Sequence, residues 1–320
     1  MFERLKWPAG ALALGALGAL LRRWQLHTAL DAESGLFAPF APASLALGAY
    51  LAAALALLAL LAARTREGRR QSGRLCRWEV LFAAGGNAVY LGLAVFGALL
   101  TLGAAPLLLG EAMEARAARA ASDSVGALAS NGILEILLAV CAAAACAAML
   151  SAAQNNYRMR GRGRENAALL LPVLLCCLWL LKSYRSNAPD PALWSYVPLL
   201  LAIGLFTLFH MECAALSFAD GKPRRLLWLG AAAIVMGGVA MVGSAAGTGG
   251  KLLRGGQAAA ALAALWVVPG NLLCPPGADR FGLRAQLRQG RETPEEAPEQ
   301  TGQEQESEAD RAVQEEEEHD

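Results

Sequence analysis

The sequence predicts an all-α polytopic transmembrane helix bundle of about eight spans, followed by a disordered acidic C-terminal tail. Three observations carry that prediction. The 320 residues are 56% hydrophobic and 17% charged, with a mean hydropathy of +0.38, whereas soluble domains average about 25% charged. The apolar residues gather in runs of roughly 15–25, long enough to cross a bilayer core as helices. Arg residues crowd into alternate segments between those runs, as the bias toward positive cytoplasmic loops requires.

The expected spans are 7–21, 44–63, 80–103, 133–153, 167–182, 194–218, 226–246 and 257–274. The first follows a short basic start (Arg4, Lys6) like a secretory signal. Arg22–Arg23 stands where a small-residue cleavage site belongs, so an uncleaved span is expected. The first and fifth are short for a core about 30 Å thick and call for snorkelling flanks or a thinned bilayer. Small residues let helix backbones approach in lipid. Ala11, Gly15 and Ala19 on span one match Gly48, Ala52 and Ala56 on span two, which suggests a close hairpin. Ala233 and Gly237 do the same on span seven.

The basic loops set the orientation. "RTREGRRQSGRLCR" supplies Arg64, Arg66, Arg69, Arg70 and Arg74, and "YRMRGRGR" supplies Arg158, Arg160, Arg162 and Arg164. With these loops, "DGKPRR" and both termini in the cytoplasm, 20 of the 28 Lys and Arg lie inside. Arg22 and Arg23 dissent, falling outside. Beside membrane spans such Arg clusters meet anionic lipid headgroups, or a protein partner, rather than nucleic acid. The expected location is the cell (plasma) membrane, multi-pass, with both termini cytoplasmic.

Among the outer loops, "WQLHTALDAESGLFAPFAPAS" is suited to lie on the membrane surface, and "EAMEARAARAASDS" favours a short helix. Pro189 and Pro191 around Asp190 make a turn, with Trp194 and Tyr196 as interface anchors. "GTGGKLLRGG" between spans seven and eight lacks the strand and helix of a phosphate loop, so a flexible linker is expected. The transmembrane domain ends near residue 276. Residues 288–320 hold 13 Asp/Glu against 3 Arg, a composition that predicts disorder over 277–320. That acidic tail either solubilises the chain or docks on a basic partner or on the chain's own Arg loops.

Chemistry-bearing residues are few. No C-x-x-C pair occurs among seven Cys, and all but Cys76 lie in or at the ends of apolar segments. They are expected to act as buried small hydrophobes. The three His include one inside a span, in "LFTLFHMECAALSF". Ionisable groups at such depth face a protein interior or a wet cavity. His210 lies about 12 Å from the inner end of span six and Glu212 about 3 Å shallower. Asn87 and Asn271 fall at comparable depths, so Asn87, His210, Glu212 and Asn271 form the candidate intramembrane polar site. His210 and Cys213 share a helix face, but Glu212 points nearly opposite and no second cluster completes a metal site. No metal, cofactor or catalytic residue is assigned: G-x-S-x-G, H-E-x-x-H and Walker-type loops are all missing from the sequence.

"RRWQLHTALDAESGLF", "WLLKSYRSNAPDPALWSY" and "FADGKPRR" resemble a family of uncharacterised multi-pass integral membrane proteins of clostridia-type Firmicutes. The resemblance extends to about residue 275 and implies a bacterial integral membrane protein, without an activity or site residues. Three functional classes follow from the residues themselves. The first is a non-catalytic membrane component acting through partners. The second is a small-molecule or ion transporter using the inner polar site, and the third an intramembrane enzyme.

Overall fold

Ala and Leu dominate the apolar runs, and both rank high in helix propensity. In lipid a helix also satisfies its own backbone groups. The runs accordingly form helices throughout the computed structural model, which describes residues 2–30, 37–38, 40–64, 78–120, 133–158, 167–187, 193–218, 221–243 and 247–273. The helices are α1 (Phe2–Thr28), α2 (Pro42–Arg64), α3 (Trp78–Leu81), α4 (Ala88–Ala120), α5 (Ile133–Tyr157), α6 (Leu170–Asn187), α7 (Leu193–Ser217), α8 (Pro223–Met241) and α9 (Thr248–Leu273). Among the described residues the sole extended pairing is an isolated bridge, Leu30 with Phe37. The acidic tail lies outside the described residues.

Among the described residues seven helices, α2 and α4 to α9, are long and apolar enough to cross a membrane, so the chain is a multi-pass membrane protein by length and composition. The helix α1 is outside that set: its uncharged run, 7–21, is short and is bounded by Lys6 and by Arg22 and Arg23. Even so, α1 has 27 residues, about 40 Å of helix. It also exposes Leu12, Leu17 and Leu20 as a lipid-facing surface would.

Contacts between helices fix their relative directions. Gly15 of α1 meets Ile234 and Val235, and Gly18 meets Val239, so α1 runs parallel to α8. Gln25 bonds Ser44 while Tyr50 bonds the Leu14 carbonyl, which makes α2 antiparallel to α1. Gly97 meets Gly256, and Leu108 meets Gly249, so α4 is antiparallel to α9. Eight long helices therefore alternate in direction. The start of α1 and the end of α9 fall at one end of the bundle, together with the turn joining α7 to α8.

Burial ranks the helices. Of the apolar window of α8, 72% is buried, against 22% for α2, so α8 is central and α2 faces lipid. Phe206 and Phe209 of α7 pack on Gly237 and Gly230 of α8. Gly15 docks on α8, not on α2, while Gly48, Ala52 and Ala56 are exposed. The expected small-residue hairpin is thus replaced by an α1–α8 crossing. The α1–α2 pair relies on polar bonds instead, including Tyr50 Oη to the Leu14 carbonyl at 2.5 Å. Nothing lies within 4 Å of a Cβ built on Gly48. Gly48→Leu is expected to leave stability within about 0.5 kcal/mol, as exposed substitutions do, measured by thermal unfolding in detergent.

Three further expectations change. The second outer loop was expected to hold a short helix, and its residues up to Ala120 are helical, but as the continuation of α4. "GTGGKLLRGG" is the opening of α9 from Thr248, not a linker, because its glycines pack against α4. Tyr196 is buried rather than placed as an exposed interface anchor. The dissenting Arg22 is also buried: it bonds Gln25 and the Ser195 carbonyl and lies 5.4 Å from the Phe37 ring centroid.

Candidate functional site

The site begins at a break in the third predicted span. After α3 the chain leaves the helix, and Gly85 and Gly86 take φ values of 55° and 81°, a region glycine enters without steric cost. Asn87 then restarts the helix: its Oδ1 accepts the Val89 and Tyr90 N–H groups, as an N-cap does. Asn271 of α9 holds the other side of the break, donating from Nδ2 to the Leu81 and Ala83 carbonyls at 2.9 and 2.8 Å. The break places Trp78 and Tyr90 on either side of Asn156 from α5. Trp78 Nε1 donates to Asn156 Oδ1 at 3.1 Å, and Asn156 Nδ2 donates to Tyr90 Oη at 2.8 Å.

A second buried chain runs from His210 of α7. Its Nε2 lies 2.5 Å from Gln257 Oε1, and Gln257 Nε2 lies 3.4 Å from Thr101 Oγ1, which bonds the Gly97 carbonyl at 2.9 Å. A backbone carbonyl only accepts, so Thr101 donates to Gly97 and accepts from Gln257. Gln257 Oε1 must then accept, which assigns the proton to His210 Nε2 and leaves Nδ1 as an acceptor.

Between these chains lies a partly open cavity of about 70 Å³. Trp78, Phe82 and Phe209 and several Ala residues make its walls apolar, while Tyr90, Asn156, His210 and Cys213 bring polar atoms to it. A water needs roughly 10–15 Å³ of such space, so the cavity has room for a small molecule. Apolar walls with a few fixed polar groups are the usual make-up of a small-molecule site.

Of the four residues expected to cluster, only His210 lines this cavity. Glu212 has a different task at the start of α8. Its Oε1 accepts the Lys222 N–H at 2.5 Å, and its Oε2 lies 3.6 Å from Arg225 Nε. In a capping box the Glu at N3 reaches back to the N-cap N–H; here Glu212 of the preceding helix does so. At the far end of α8, buried Arg254 donates to the Ala240 carbonyl in the last turn. The anion sits at the positive end of the α8 dipole and the cation at its negative end. No hydrogen bond among the described residues joins any two of Asn87, His210, Glu212 and Asn271. Of the Arg contact set, Arg64 and Arg158 are exposed at helix ends; Arg66, Arg69, Arg70, Arg74, Arg160, Arg162 and Arg164 lie outside the described residues.

Several participants escaped the sequence reading. Gln257 and Arg254, three residues apart, were assigned to a span boundary and a linker, although a polar pair at helical spacing beside an apolar run was visible. Trp78 and Tyr90 carried no signal apart from flanking Gly-Gly-Asn. Cys141, Cys146, Cys176 and Cys213 are free and buried as expected, while Cys177 is free and exposed. Among the described residues no three His, Cys, Asp or Glu side chains gather in a way that would hold a metal. No protein-family model, curated protein or solved structure matches this chain.

Proposed function

We propose that the chain is a non-catalytic membrane component that works by binding. Partners and anionic headgroups meet its basic loops and acidic tail on the cytoplasmic side of the cell membrane. One observation carries the reading: the buried charged groups among the described residues are held by the scaffold, Glu212 and Arg254 at the two ends of the central helix and Arg22 on Gln25 and the Ser195 carbonyl. Charged side chains bound to helix termini serve the scaffold. The alternating helix directions support placing both chain ends in the cytoplasm, since they return the start of α1 and the end of α9 to one end of the bundle.

Deleting residues 288–320 tests the partner role. The shortened chain is expected to insert and fold, with an unchanged unfolding midpoint in detergent, but to lose the proteins that crosslink to the intact chain in cells. An unchanged crosslinking pattern would overturn the role given to the tail. The cavity beside His210 favours a second reading, transport of a small molecule, which solute uptake into proteoliposomes would reveal.

A further inference from the structure

We propose that the cavity between α3, α4, α5, α6, α7 and α9 is a binding site for an uncharged molecule carrying a hydroxyl. This deepens the reading of a component that works by binding, and it concerns a site distinct from the tail.

The directions of the two hydrogen-bonded chains supply the argument. In the first, Trp78 donates to Asn156, and Asn156 donates to Tyr90. The Tyr90 oxygen is therefore an acceptor already in use, and its own O–H donates to no described protein group. In the second, His210 uses Nε2–H on Gln257, and its Nδ1 lone pair takes no described protein donor. Both side chains line the cavity, at 5% and 6% exposure. The cavity thus presents one unused donor and one unused acceptor, each on a ring fixed by a buried chain.

A hydroxyl answers both through one oxygen, accepting from Tyr90 and donating to His210; water does the same, and the apolar walls favour an alcohol that displaces it. A carbonyl or ether answers Tyr90 alone. A carboxylate or ammonium would enter apolar walls with no opposite charge among the lining residues, which is costly. The remaining walls, Trp78, Phe82, Phe209 and Ala residues of α4, α5 and α9, suit a short apolar body. At about 70 Å³ the space is smaller than the cavity of about 150 Å³ that holds benzene in an engineered protein. The occupant is a small alcohol, or the hydroxyl end of an uncharged lipid whose tail runs out through the opening.

Trp78 lines the cavity and stacks on Phe82 with ring centroids 3.8 Å apart, so contact quenching of its fluorescence reads occupancy. The full chain in detergent is titrated with 3-bromo-1-propanol, 1-bromopropane and 2-bromododecan-1-ol, whose bromine sits beside the hydroxyl, with reversal on dialysis as the check against alkylation. The expected result is saturable quenching by the bromoalcohol, with Kd about tenfold below that of bromopropane, as one net hydrogen bond gives. The saturable part should vanish in Trp78→Phe, and Kd should rise about tenfold in Tyr90→Phe. Tighter saturation by the long alcohol identifies the lipid source, and saturation by the short one alone identifies a free alcohol. Quenching linear in concentration, or equal Kd for bromopropanol and bromopropane, would overturn the proposal, and the wild-type comparison needs no variant to fold. Loss of crosslinked partners on tail deletion is read separately, so the two readings fail independently.

Discussion

Gly256→Val is expected to prevent stable folding, or to lower stability by about 3 kcal/mol, the upper end of ordinary overpacking costs. The reason is backbone contact. A Cβ at Gly256 would lie 2.8 Å from the Gly97 carbonyl oxygen and 2.5 Å from Thr101 Oγ1. On the facing helix, a Cβ at Gly97 would lie 2.8 Å from the Gly256 carbonyl oxygen and 3.1 Å from the Ala260 nitrogen. Backbone atoms cannot rotate away, so α4 and α9 would have to separate. Separation also breaks the bond from Gln257 to Thr101 and releases His210 from its fixed orientation. Thermal unfolding in detergent measures the loss, with Gly48→Leu as the tolerated control. A Gly256→Val protein as stable as wild type would mean that the α4–α9 crossing is not this close.

Glu212 and Arg254 give the second large effect. Glu212→Ala leaves the Lys222 N–H without its acceptor at the positive end of α8 and is expected to cost about 1–2 kcal/mol, the range for a lost helix cap. Glu212→Gln keeps an acceptor oxygen and should cost less than half as much. Arg254→Met removes the donor to Ala240 and is expected to cost about 2 kcal/mol, as for a partly buried cation at a helix C-terminus. The two positions lie at opposite ends of a 19-residue helix, about 28 Å apart by helical rise. The double variant should therefore be additive within about 0.5 kcal/mol. Chemical or thermal unfolding of the four proteins checks this. A Glu212→Gln protein that folds normally yet loses biological function would point instead to ion movement through Glu212.

The sequence made the helices visible and left most of their partners hidden, for one physical reason. A bilayer core demands long apolar runs, and these show in any hydropathy window. It imposes no such pattern on which helix meets which. The stripe of Gly48, Ala52 and Ala56 is as regular as that of Ala11, Gly15 and Ala19, yet it faces outward while Gly15 meets α8. Likewise α9 began too late in the sequence reading, because Gly and Arg lower hydropathy just where close packing and the end of α8 require them. His210 was legible through the cost of burying an imidazole in an apolar run. Its partner Gln257 was not, since a single neutral amide barely alters a window. Asn87 following Gly-Gly carries the sequence signature of an N-cap, and that local signal outweighs the intramembrane depth that first grouped it with His210. Glu212 lies ten residues before Lys222 across a tight turn, a spacing without a recognised capping signature.

The alternating bundle requires α1 to cross the membrane beside α8, despite Arg22 and Arg23. Reporters fused separately to the two ends of the full chain, one fluorescent only in the cytoplasm and one enzymatically active only outside, test this directly. Eight crossings place both ends on one side of the membrane, and with the orientation proposed above they predict cytoplasmic fluorescence and no external activity at both ends. External activity at one end alone would mean an odd number of crossings, would remove α1 from the bilayer, and would contradict the alternating bundle described above.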